Sequence, residues 1–94
     1  MIKIRARIEL YKDGRRTPFR NGYRPLFNFI KEMKVSGHIK LTDRAEFLPG
    51  DIGVVEITFI DNKYLGKDFR VGAKFTFGEN ITPLGEGEVV ELFR

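Results

Sequence analysis

Five basic side chains crowd into fourteen residues of this 94-residue chain: Lys12, Arg15, Arg16, Arg20 and Arg24 lie between Lys12 and Pro25, against the single acid Asp13. A guanidinium presents its N–H donors as a planar fork that matches two phosphate oxygens, and the interleaved Phe19 and Tyr23 offer faces on which nucleobases stack. The chemistry this spacing suggests is the grip of a polyanion, led by Arg15 and Arg16 beside Gly14. The same residues allow a plainer reading, in which Phe19 and Tyr23 anchor the loop to the body of the protein and Arg24 holds a nearby carbonyl or carboxylate. A connection of this length without regular structure is usually functional or disordered.

Catalysis has little to work with. Cysteine is absent, which removes disulfides, thiolate metal ligands and cysteine nucleophiles together. His38 is the only histidine and Ser36 the only serine. On a strand the two would share a face, but no acid is evidently placed to orient the imidazole, so His38 reads as a surface histidine. One histidine among scattered acids matches no usual metal-ligand spacing. Glu79, Glu86, Glu88 and Glu91 read instead as the solvated face of the last strands. We expect no enzyme, no metal and no cofactor.

These side chains must be carried by a small body. Ninety-four residues make one domain, since most domains hold about 50–250 residues, and the single domain spans residues 1–94. A composition 41% hydrophobic and 32% charged supports a packed core and argues against disorder. Ile2, Ile4, Ala6, Ile8 and Leu10 alternate with Lys3, Arg5, Arg7, Glu9 and Tyr11, the period of a half-buried strand. A second alternation runs from Phe69 through Val71, Ala73 and Phe75 to Phe77, and a third through Val55, Ile57 and Phe59 after the turn signal Leu48-Pro49-Gly50-Asp51. Three further strands are read over Pro25–Met33, where Leu26, Ile30 and Met33 would also suit a helical face, over Val35–Leu41, and over Gly85–Phe93. In the last, Gly85 and Gly87 would bend the chain as at a barrel corner. Six short strands between Gly, Pro and Asn turns predict an all-β fold, a small six-stranded antiparallel closed barrel.

Charge is divided along the chain. Residues 1–44 carry twelve Lys and Arg against four Asp and Glu, whereas residues 45–94 carry five against nine. A basic segment points to an anionic partner, although strands from the two halves that interleave in a barrel would mix the signs in space. The opening Met1-Ile2-Lys3-Ile4-Arg5 lacks the apolar core of a secretion signal, and no run approaches the ~18 apolar residues of a membrane span. A soluble, cytoplasmic protein without membrane contact is expected.

The string Gly14-Arg15-Arg16-Thr17-Pro18-Phe19, followed by Asn21-Gly22-Tyr23-Arg24-Pro25-Leu26-Phe27, resembles the corresponding segment of the third domain of bacterial elongation factor Tu. The resemblance continues through Val35-Ser36-Gly37, Pro49-Gly50-Asp51, Lys74-Phe75 with Glu79, and Leu84-Gly85-Glu86-Gly87-Glu88-Val89, so it covers nearly the whole chain. It implies the same six-stranded barrel and a role in presenting aminoacyl-tRNA, contacted through sugar and phosphate. Arg15 and Glu79 match family contacts, and Arg16 stands where the family usually has His. Leu26 replaces a usual Gln, and Gly78-Glu79-Asn80-Ile81-Thr82-Pro83 replaces a usual Arg-Glu-Gly-Gly-Arg-Thr. No Gly-x-x-x-x-Gly-Lys-Ser/Thr loop is present, so GTP binding is not expected.

Two expectations follow from residues and resemblance together. The first is a non-catalytic module that binds structured, tRNA-like RNA through Lys12, Arg15, Arg16 and Arg20, with Glu79 and Asn80 on the rim. The alternative is a protein–protein module on the same scaffold, translation-related or otherwise, with Leu26 and Ile81 as its apolar contacts.

Overall fold

Alternation of apolar and polar residues becomes strand wherever the apolar set can face one interior. A computed structural model describes residues 1–61 and 65–93, and these fold as an all-β chain. In order come β1 (Ile2–Leu10), β2 (Phe19–Arg20), β3 (Leu26–Ile30), β4 (Met33–Leu41), β5 (Glu46–Phe47), β6 (Ile52–Phe59), β7 (Lys74–Gly78) and β8 (Gly85–Phe93). Six of them close a barrel in the order β1–β6–β4–β3–β7–β8, with every neighbouring pair antiparallel. The short β2 and β5 pair as a separate two-stranded sheet. No helix long and apolar enough to cross a membrane occurs among the described residues.

The interior sets a cluster of phenylalanine rings among aliphatic side chains. Phe27 packs edge-on against Phe59 and Phe75 with ring centroids 5.2 and 5.7 Å apart, and Phe29 bridges Phe59, Phe69 and Phe75. Such rings need floor space. They find it over Gly37, Gly85 and Gly87, where a Cβ would come within 2.8 Å of Phe59, 2.7 Å of Phe77 and 2.5 Å of Phe75 respectively. Gly85 and Gly87 are therefore not corners, as the sequence suggests, but the inward floor of a continuous strand. The irregularity of β8 lies further on, where Arg5 faces Glu91 while Ala6 faces Val89, which leaves Val90 as the extra residue.

Three other boundaries differ from the periodicity. Pro25–Met33 is not one strand, because the chain turns at Lys31-Glu32 and Ile30 pairs with Met33 across the turn. The side-chain amide of Asn28 donates to the Ile30 carbonyl at 2.9 Å and ties this hairpin. The run from Phe69 is a strand only from Lys74 onward. Gly72 takes φ +92°, and the Ala73 amide donates to the Arg70 carbonyl at 2.9 Å, which makes a turn whose geometry glycine tolerates and which leaves Val71 59% exposed. Phe69 still packs against Phe29 at 5.1 Å, so the apparent alternation joins a half-buried loop aromatic to a strand. Finally, the Lys12–Pro25 connection contains β2, and Tyr23 bridges to Ile39.

Strand order also mixes the charges. β1, from the basic half, lies between β6 and β8 from the acidic half. Across the outer wall the register sets Glu91, Arg5, Glu56 and Lys40 side by side. Arg5 is paired with Glu91, and Lys3 lies 3.2 Å from Glu56. The hydrogen bond from Lys3 holds the Glu56 carboxyl below its ordinary value of 4.5.

Two outcomes test this packing. Gly85→Ala should cost about 1–3 kcal/mol in urea unfolding, the usual range for overpacking a filled core. Glu56, with its depressed folded value, contributes stability that is complete above pH 4.5 and is lost as pH falls below it. Glu56→Gln should therefore lose less stability than the parent chain between neutral and acid pH, as read by denaturant melts across that range.

Candidate nucleic-acid interface

Three connections meet at one end of the barrel, residues 11–25 after β1, 42–51 after β4 and 79–84 after β7. Backbone hydrogen bonds fasten them together. The Tyr11 amide donates to the Leu84 carbonyl at 2.9 Å, and the Gly50 amide donates to the Leu10 carbonyl at 2.7 Å. The Gly22 amide donates to the Ile39 carbonyl at 2.9 Å, and the Asn21 side-chain oxygen accepts from the Leu41 amide at 2.8 Å. The basic loop is thus held along β4 rather than left free.

A column of rings runs through this end. Tyr23 stacks on Phe19 at 4.5 Å, and Phe19 stacks on its cross-strand partner Phe47 at 5.2 Å with ring planes 12° apart. A guanidinium closes each end, Arg15 over Tyr23 and Arg44 over Phe47, both 4.8 Å from the ring centroid. Phe19 is fully buried and Tyr23 half-buried. Of the two readings left open for these aromatics, the structure supports loop anchors for both, and Phe19 has no face to offer a base.

Carboxylates from both halves of the chain complete the arrangement. Glu79 accepts hydrogen bonds from both Arg15 and the Tyr23 hydroxyl, the latter at 2.6 Å. Glu46 accepts from Arg20 at 3.0 Å, and Asp43 and Asp51 lie 2.8 and 3.5 Å from Arg44. The ion pair with Asp43 raises the basicity of Arg44 and holds the Asp43 carboxyl low. Burial and the hydrogen bond to Glu79 push the Tyr23 phenol well above its ordinary 10.0, and burial with a 2.8 Å bond to Glu86 pushes Tyr11 up to about 12.

The sites expected from sequence divide accordingly. Lys12, Arg15, Arg16, Arg20, Glu79, Asn80 and Ile81 all lie on the three connections of this end. Arg15 is 23% exposed and committed to Glu79 and Tyr23, so it is a structural clamp. Arg20 is 79% exposed, but one side of its guanidinium is engaged by Glu46. Lys12 and Arg16 are exposed and have no carboxylate partner among the described residues. Asn80 is exposed, and Ile81 is 90% exposed. Leu26 stands apart at the head of β3, half-buried between Ser36 and Gly78.

Sequence reasoning missed Arg44 and Phe47, whose part in the column follows from the β2–β5 pairing that no periodicity announces. Arg24, read either as a phosphate-gripping cation or as holding a nearby carbonyl or carboxylate, has no such partner among the described residues and lines a hollow on the outer wall with Ser36, His38 and Thr58. Among the described residues no group of three or more His, Asp or Glu is placed to hold a metal ion. No family model matches the chain.

The hydrogen bond at Glu79 has a consequence at high pH. Because the folded Tyr23 value lies above the unfolded one, the stabilisation is complete below about 10 and is lost as pH rises through the folded value. Tyr23→Phe should reduce the loss of stability seen on raising pH above 10, and it should remove one late phenolate transition from an ultraviolet titration.

Proposed function

We propose that this chain is a non-catalytic binding module for structured RNA, with the loop-bearing end of the barrel as its contact surface. The observation that carries the reading is the division of labour among the cations of that end. Arg15 is neutralised by Glu79 and Arg44 by Asp43 and Asp51, while Lys12 and Arg16 are exposed on the same set of connections without a carboxylate partner among the described residues. Cations free of carboxylates can exchange solvent and counterions for phosphate. Folded RNA is recognised chiefly through such phosphate and 2′-hydroxyl contacts. The resemblance of the Gly14–Phe27 segment to the third domain of elongation factor Tu supports the same ligand class, and the binding uses no nucleotide switch. Arg20, held from one side only, and Asn80 complete the surface, with Glu79 serving as the anchor of Arg15.

A second reading rests on Ile81. An isoleucine 90% exposed at a connection beside the candidate surface favours a protein partner, with the half-buried Leu26 at its margin. Nuclease treatment separates the two, since an RNA module loses its lysate partner and a protein module keeps it.

A titration against bulk tRNA tests the first reading. If about three phosphates are neutralised, log affinity should fall with log salt at a slope of about −2 to −3. Arg16→Glu and Lys12→Glu should each weaken binding and reduce the slope by about 1, with unfolding unchanged. Arg15→Glu should lower thermal stability as well, because it opens the contact with Glu79. Indifference of affinity to both Lys12→Glu and Arg16→Glu would overturn the assignment.

A further inference from the structure

The outward face of β4 carries Lys34, Ser36, His38 and Lys40, and a small hollow opens beside its middle. Arg24, Ser36, His38 and Thr58 line it, together with Gly37 and the apolar Met1 and Ile60. Its position follows from register. His38 lies directly opposite Thr58 of β6, and Ser36 lies opposite Leu26 of β3. Arg24 is fixed alongside by its two neighbours. The Ile39 amide donates to the Tyr23 carbonyl at 2.8 Å, and the Gly37 amide donates to the Pro25 carbonyl at 3.4 Å, so the backbone of Arg24 runs beside His38.

The chemistry of the lining is one-sided. Among the described residues it holds a guanidinium, an imidazole and two hydroxyls, and no carboxylate. Among the described residues Arg24 has neither an ion pair nor a hydrogen bond, unlike Arg15, Arg20 and Arg44. Charges along the same strand reinforce this, since Lys34 and Lys40 flank the hollow on β4. Glu56, two residues from Thr58, is already held by Lys3 at 3.2 Å and Arg5 at 3.7 Å, and neither it nor Asp61 lines the hollow. At about 120 Å³ the space falls well short of the roughly 300–1,000 Å³ that encloses a drug-sized ligand, so its occupant is a small group.

We propose that this hollow binds a phosphate-type oxyanion. The Arg24 fork supplies paired charge-assisted N–H donors, and Ser36, Thr58 and His38 supply the remaining hydrogen bonds. The same chemistry serves free phosphate and the phosphodiester of a nucleic-acid backbone. The seat is independent of Lys12 and Arg16, so it does not rest on the RNA reading.

The test is an NMR titration of the full chain with inorganic phosphate, at constant ionic strength with chloride as the balancing anion. His38 imidazole and Thr58 resonances should shift saturably. Arg24→Gln should weaken the phosphate affinity by about tenfold or more, as expected for loss of a charge-assisted bidentate contact, while the melting temperature stays unchanged. Ser36→Ala should weaken it less, and Arg16→Gln should leave it unaltered. A saturable shift reproduced by dimethyl phosphate assigns the seat to diesters, and one confined to inorganic phosphate assigns it to free phosphate or monoesters. Shifts that fail to saturate, that chloride reproduces, or that persist at full affinity in Arg24→Gln overturn the proposal. Loss of tRNA binding in Lys12→Glu or Arg16→Glu with the phosphate shifts intact would remove the RNA reading and leave the seat standing.

Discussion

Everything in this barrel depends on where three side chains are missing. A six-stranded barrel has little interior, and the phenylalanine rings that share this one fit only because glycines lie beneath them. Gly37 on β4 makes room for Phe59 and Phe27, Gly85 on β8 for Phe77, and Gly87 on β8 for Phe75. Each ring and its floor come from different strands, so β3, β4, β6, β7 and β8 are interlocked by size alone. β1 joins them through Ile8, whose methyl group would also meet a Cβ at Gly87. Large-against-small pairing of this kind fixes register. A one-residue slip in β8 would turn Gly85 and Gly87 outward and drive Glu86 or Glu88 under the rings.

The loop-bearing end extends the same core by a different device. Phe19 and Phe47 belong to the buried cluster, and from them the stack passes outward through Tyr23 to Arg15 and, on the other side, to Arg44. A guanidinium is planar and weakly hydrated, so it can cover an aromatic face while its edge meets a carboxylate. Glu79 and Asp43 occupy those edges. The connections are thereby built into the body, and a long basic segment of the chain becomes a shaped surface. What this uses up is charge, because Arg15 and Arg44 have become part of the architecture.

The barrel was legible because its strands obey a period of two over enough residues to exclude a helix. β1 and β6 are plain from Ile4, Ala6 and Ile8 and from Val55, Ile57 and Phe59. Where the reading strayed, a single residue had changed the backbone. Gly72 at positive φ ends an alternation that composition alone carries back to Phe69, and the turn at Lys31-Glu32 splits a run whose apolar pattern continues through it. The site was legible as a location and not as a set of roles. Residue types placed Arg15, Arg16 and Arg20 together, but whether a cation is spent on a carboxylate depends on Glu79 and Glu46, which are 64 and 26 residues away in sequence. Contacts at such separations follow from topology, and no local pattern encodes them.

Topology also decides what becomes of the uneven charge along the chain. Placing β1 between β6 and β8 sets Lys3, Arg5 and Arg7 among Glu56, Glu88 and Glu91, and there Lys3 and Arg5 are paired with Glu56 and Glu91. β4 has different neighbours. On the β6 side its outward residues meet Thr58 and Glu56, and on the β3 side they meet Leu26, opposite Ser36. In the described β4–β6 register one carboxylate, Glu56, already held by Lys3 and Arg5, stands near Lys34, Lys40 and the adjacent Arg24. The strand order therefore divides one basic half-sequence into a cancelled wall and an uncancelled one. An approaching polyanion would experience this difference at long range, before any contact forms, because a field from unpaired charges outlasts that of close ion pairs over the Debye length. The side that would attract it is the side that bears the Arg24 hollow.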